Sequence, residues 1–147
     1  MSPRPRYEKP IDVGFETEAL DILMMSLGPR YTWDTAGKNS ELDATVYRDG
    51  VFYCDVEVKT RNPKFFSQAQ HEGYVLSAQK WFRLLSMDAR LLVYWKNEGV
   101  YALRPIAAPQ ISIRRGGRTV DTRDEWDIED VAYIPWEYFK LIGHKGE

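Results

Sequence analysis

The chain has 147 residues, 44% of them hydrophobic and 29% charged, with 20 basic against 22 acidic side chains and a formal net charge of −2. That length buries roughly two-thirds of the surface exposed on unfolding, enough for one core without a disulfide or structural metal. The single cysteine and two histidines exclude an internal disulfide and a Cys/His zinc cluster, so any metal should be oxygen-bound.

The basic start MSPRPRYEKP is followed by no apolar run of signal-peptide type, and no stretch approaches the ~18 apolar residues of a membrane span. A cytoplasmic protein without membrane contact is expected. No repeat, low-complexity segment or Gly/Ser linker divides the chain. Residues 1–147 therefore read as a single domain with a short N-terminal tail (1–12) and an acidic, aromatic C-terminal extension (121–147).

From residue 14 to 27, apolar side chains recur at Phe15, Ala19, Leu20, Leu23, Met24 and Leu27, the spacing of one buried helix face, and Gly28-Pro29 ends the helix. Residues 42–47 and 51–59 read as two strands around Arg48-Asp49-Gly50, because Asp-Gly is a strong hairpin signal. In the second strand Cys54, Val56 and Val58 point one way, while Asp55, Glu57 and Lys59 point the other. Residues 64–74 are irregular, interrupted by Gly73, and read as a loop with room for a helical turn. Ser77 suits the N-cap of a helix carrying Trp81, Phe82, Leu84 and Leu85. Residues 90–95 and 100–104 form a second hairpin around Asn97-Glu98-Gly99, and residues 110–115 and 118–122 a third around Gly116-Gly117. In the tail from 126 to 142, Pro135 is placed to start a short terminal helix. Strands interleaved with two main helices predict an α/β domain, a central mixed β-sheet flanked by helices.

Four residues form a candidate site: Glu16 in the first helix, Asp43 in the first strand, and Glu57 and Lys59 two apart in the second. The two-residue spacing puts Glu57 and Lys59 on one face, and hairpin pairing can bring Asp43 near them. Glu16 lies on the inward stripe with Ala19, Leu20 and Leu23. An ordinary acidic residue in a first helical turn, favoured by the dipole, has the same appearance. Converging carboxylates repel one another unless a cation neutralises them, and magnesium prefers carboxylate oxygens. Such a centre suits hydrolysis of a phosphodiester, with Lys59 serving the attacking water or the charged transition state. A solvent-facing sheet would show the same alternation, with Glu57 and Lys59 as surface ion partners.

Glu16, then Asp43 after Ser40-Glu41-Leu42, the Asp55-Val56-Glu57-Val58-Lys59 strand, a helix and a further hairpin together resemble the PD-(D/E)XK nuclease superfamily. The likeness is to its Holliday-junction-resolvase-like and phage-type members and spans roughly residues 14–104. It implies a restriction-endonuclease-like core and a Mg2+- or Mn2+-dependent deoxyribonuclease. Asp43 and Glu57 would bind metal, with Glu16 completing the site, and Lys59 would act on water and phosphate. DNA is the implied partner, with branched or junction DNA as the candidate substrate. Leu42 stands where many members carry proline. Gln70-His71-Glu72-Gly73-Tyr74 has the Gln-x-x-x-Tyr form of exonuclease-like branches, although Gly73 disfavours the helix that motif normally occupies.

A nucleic-acid binder usually shows a basic excess, which this chain lacks, so its positive charge must be local. Arg104, Arg114, Arg115, Arg118 and Arg123, set around Gly116-Gly117, read either as a phosphate-contacting hairpin or as a solvated turn facing the acidic tail. Gln79 and Lys80, at the start of the second helix, are further polar residues able to approach the site and DNA. A homodimer is expected if both strands are cut, since a two-fold axis relates two centres most simply. The rival reading from a different class is a non-catalytic nucleic-acid- or protein-binding module on the same fold.

Overall fold

The computed structural model describes residues 10–35, 42–61, 73–95, 98–117 and 128–143. Helix α1 (Pro10–Leu27) starts ahead of its apolar periodicity, with proline at the first helical position, where no N–H partner is needed. It buries Ala19, Leu20 and Leu23. It ends as the Gly28 N–H donates to the Met24 carbonyl at 2.8 Å, Gly28 taking a φ of +115°.

Strand β1 (Tyr31–Thr35) is an edge strand that the sequence pattern does not signal, because its five residues are half-buried at best and carry little apolar alternation. Strands β2 (Ala44–Arg48) and β3 (Val51–Arg61) form the expected hairpin. Asp49 and Gly50, at φ 52° and 79°, make the two-residue turn that matches the natural twist of the strands. Arg30 fastens this turn to the end of α1, its Nε donating to the Asp49 carboxylate at 2.8 Å.

After β4 (Gly73–Ser77) come α2 (Ala78–Met87), β5 (Arg90–Trp95) and β6 (Gly99–Leu103). Ser77 is the predicted N-cap, its hydroxyl accepting the Lys80 N–H at 3.1 Å. The chain then forms β7 (Ser112–Gly117), β8 (Ile128–Pro135) and β9 (Lys140–Gly143).

The main sheet has six strands in the order β1-β2-β3-β5-β6-β9. β3 and β5 are parallel and linked by a crossover through β4 and α2, whereas the other pairs are antiparallel. One face, with Val56, Val58, Leu92, Tyr94 and Val100, packs on Ala19, Leu20 and Leu23 of α1. The other, with Leu91, Val93 and Trp95, packs on Trp81 and Leu84 of α2. This is an α/β restriction-endonuclease-like core, as expected. A second, three-stranded antiparallel sheet runs β4-β8-β7.

Three expectations are corrected. Residues 64–74 do not read through as a loop: Gly73 and Tyr74 open β4, and Tyr74 is buried in the core. Residues 62–72 lie outside the described residues. Gly116-Gly117 does not make a turn, because both residues continue β7, which pairs with β8; the expected return strand at 118–122 lies outside the described residues. Pairing along a whole strand here outweighs the glycine turn signal. Pro135 ends β8 and is the N-cap of only a single-turn 3-10 helix, Trp136–Tyr138, which is not terminal because β9 follows it. Burial of Trp136 and Phe139 in the core holds that turn short and sends the chain back to the edge of the main sheet.

Candidate active site

β3 carries the candidate residues Glu57 and Lys59, and its two faces differ. Its even-numbered residues Cys54, Val56 and Val58 fill the α1 side. Glu57 and Lys59 project to the α2 side, level with Leu91 and Val93 of the neighbouring parallel strand. Glu57 is only 5% exposed, the one buried charged side chain among the described residues. Its Oε1 lies 3.4 Å from the Lys59 Nζ and 3.5 Å from the Lys80 Nζ. Its Oε2 is buried with no hydrogen-bond partner among the described residues. An orphaned carboxylate oxygen is costly to bury and points to a missing ligand.

Asp43 immediately precedes β2, and its backbone N–H donates to the Val56 carbonyl at 3.1 Å, extending the ladder by one residue. Its Oδ2 accepts the Val58 N–H at 2.7 Å. That bond satisfies a β3 donor beyond the end of β2 and sets the carboxylate near Glu57. Burial, and then the Asp43 charge, push the Glu57 carboxyl above its ordinary range, while Lys59 and Lys80 pull it down without reversing the shift. Asp55, on the same face, is occupied by the Thr45 hydroxyl at 3.0 Å.

Glu16 is half-buried on α1, whose buried residues pack on the Val56 and Val58 face. No group of three or more His, Cys, Asp or Glu side chains able to hold a metal ion forms among the described residues. Asp43 and Glu57 nevertheless fit magnesium, which binds through one or two carboxylates, substrate phosphates and several waters. Cys54 is buried on the α1 side, where burial pushes its thiol up to about 11, so it offers no thiolate for catalysis.

Lys80 stands at the third position of α2, half-buried, and Gln79 beside it is exposed. A cation in a helix's first turn opposes the macrodipole, and the Glu57 carboxylate compensates it. The Ser77-x-x-Lys80 spacing, a capping pattern with the wrong charge, was the available signal for this contact. Arg114 and Arg115 are exposed on β7, the edge of the second sheet remote from β4, and the Arg114 guanidinium stacks 4.1 Å over the Tyr133 ring. Arg118 and Arg123 lie outside the described residues, as does His71.

The buried Glu57, two residues before the half-buried Lys59 on a central strand, and Asp43 bonded across the hairpin lie on a restriction-endonuclease-like core. The chain belongs to the family described as "Phage putative PDDEXK endonuclease", whose family model matches residues 2–142. No curated protein and no solved structure matches the chain.

Proposed function

We propose that the protein is a metal-dependent DNA endonuclease that hydrolyses phosphodiester bonds, with branched or junction DNA among its substrates. The observation that carries this reading is the buried Glu57 carboxylate, with one oxygen bracketed by two ammonium groups and the other without a partner among the described residues. Asp43 and Glu57 would hold Mg2+ or Mn2+. When bound, such a cation polarises a phosphate and acidifies water.

The side chains supply the rest. The Val58 N–H orients Asp43. Glu57 holds the Lys59 ammonium at the site, where it donates hydrogen bonds to the attacking water and to the phosphate oxygen that gains charge. Lys80 adds positive charge on the helix side, and Gln79 lies where a strand would approach. Arg114 and Arg115 would contact phosphates farther along the nucleic acid. A second copy of the chain would supply the second cut of a duplex, and light scattering at micromolar concentration is expected to give a dimer mass.

The test is a cleavage panel of single-stranded, duplex, flap and four-way DNA with Mg2+ or Mn2+. Asp43→Ala, Glu57→Gln and Lys59→Ala should each lower cleavage by about 10²-fold or more with the fold intact. Full activity in Lys59→Ala would sink the assignment. Calorimetry separates the nuclease from a binding module on the same fold: the nuclease binds Mn2+ through Glu57, and the module binds none. Glu16 belongs to the ligand set by resemblance but sits on the helix that covers the other face. Glu16→Gln should therefore weaken Mn2+ binding less than Glu57→Gln does.

A further inference from the structure

Two ammonium groups reach one carboxylate oxygen, and only one of the pair, Lys59, has a task at the reacting atoms. The Lys59 Nζ stands 3.4 Å and the Lys80 Nζ 3.5 Å from the same Glu57 Oε1. Both distances exceed the roughly 2.7–2.9 Å of a tight charge-assisted bond, so the oxygen is shared between the two. They arrive by different routes. Lys59 comes from β3 itself, two residues after Glu57 and on the same face. Lys80 comes across the layer from the first turn of α2, whose Trp81 and Leu84 pack with Leu91 and Val93 of β5. The Ser77 hydroxyl accepts the Lys80 N–H at 3.1 Å, which fixes the backbone that carries this ammonium.

Neither the helix nor a solvated surface accounts for Lys80. The macrodipole disfavours a cation in a first helical turn. A lysine on a flexible four-carbon stem is free to turn to water, yet only 26% of this side chain is exposed and its Nζ lies at the buried Glu57. Among the described residues, Glu57 is the only ion partner of either lysine.

We propose that Lys80 is a positioning residue: it is the standing counter-ion of Glu57, and by sharing that charge it leaves Lys59 free to serve the water and the phosphate. Held by Lys59 alone, the carboxylate would bind that ammonium with its whole charge. Lys59 could then turn toward a substrate only by leaving a buried charge unpaired, which is strongly destabilising. With Lys80 in place, Oε1 keeps a partner when Lys59 turns, and Oε2 stays available to a cation. Lys80 acts through Glu57 and touches neither water nor phosphate. This rests on the nuclease reading and divides the work of that site between two lysines.

Two measurements test it, the first without metal or cleavage. Tm is measured in EDTA near neutral pH for the wild type, Lys59→Met, Lys80→Met and the double variant. Either single substitution leaves Glu57 one ammonium, so the double variant should lose more than the sum of the two single losses. Additive losses would overturn the shared oxygen. In a Glu57→Gln background Lys80→Met should not lower Tm, and an equal loss in both backgrounds would overturn the pairing. The second measurement combines duplex DNA affinity, by fluorescence anisotropy in EDTA, with single-turnover cleavage at saturating DNA. Lys80→Met should slow cleavage about 10- to 100-fold with DNA affinity and its salt slope unchanged, and Lys80→Arg, which keeps the charge, should lose less. Weaker DNA binding with a salt slope reduced by about 0.9 would make Lys80 a phosphate contact and overturn the proposal. An unchanged rate in Lys80→Met, with cleavage still dependent on Lys59, would overturn it while leaving the nuclease reading intact. Cleavage that survives Lys59→Ala but not Lys80→Met would exchange the two roles and overturn it as well. Absence of wild-type cleavage on every DNA of the panel would sink the nuclease reading and the positioning role with it.

Discussion

At the residue scale, Glu57 concentrates the protein's unfavourable electrostatics. Its carboxyl is held above the ordinary value of 4.5 by burial first and by the Asp43 charge second. A group whose folded pKa is raised contributes stability fully below its unfolded pKa and loses that contribution as pH rises through the folded pKa. The metal-free wild type should therefore lose Tm relative to Glu57→Gln as pH rises above about 4.5 toward neutrality, and scanning fluorimetry of the pair measures the difference. Adding Mn2+ near neutral pH should raise the wild-type Tm and leave that of Glu57→Gln largely unmoved, since binding to the folded state alone is what stabilises. A flat Tm difference across that pH range would contradict the burial of a charged Glu57.

At the element scale, two joints hold β3, α2 and β5 in place. Asp88 ends α2 in the left-handed region, at φ 47°. Its carboxylate accepts from Arg104 through Nε at 3.0 Å and Nη2 at 2.7 Å, and from Arg90 Nη1 at 3.0 Å. Asp88→Gly keeps the backbone conformation and loses the arginines, whereas Asp88→Ala loses both. The alanine variant should be the less stable by about 1 kcal/mol in chemical denaturation. Arg104 and Arg90 hold the Asp88 carboxyl below its ordinary value of 3.8, so this joint's contribution persists above that value and fades as pH falls below it. Gly73 is the other joint: an added Cβ would lie 2.5 Å from the Ile134 carbonyl oxygen. Gly73→Ala must push β4 away from β8, and a lowered Tm with weakened α2 packing is expected.

At the scale of the whole molecule, the two sheets meet through one aromatic cluster. Trp136 lies 5.4 Å from Trp95, 5.7 Å from Tyr101, 6.1 Å from Tyr74 and 5.0 Å from Phe139, ring centre to ring centre. It joins β5 and β6 of the main sheet to β4 of the second, so Trp136→Ala should cost about 3–5 kcal/mol in urea unfolding. Trp136→Phe should cost less, because it keeps a ring and removes a buried indole N–H that has no partner among the described residues. Among those residues, no helix is long and apolar enough to cross a membrane.

Much of this was legible in the sequence, and the limits are physical. The period of 3.6 in α1, the Asp49-Gly50 turn, the Ser77 cap and the two-residue spacing of Glu57 and Lys59 are local relations, decided within a few bonds of backbone geometry. So was the contrast between the two faces of β3. What β4 pairs with, that Gly116-Gly117 continues a strand, and that the tail after Pro135 closes the main sheet were not legible, because each depends on a partner distant along the chain. The same holds at the candidate site. Local spacing placed Glu57 beside Lys59, but only the crossover through β4 and α2 brought the Lys80 ammonium to the same carboxylate oxygen. Only the tertiary structure decided that α1, the helix carrying Glu16, packs on the Val56 and Val58 face of the sheet.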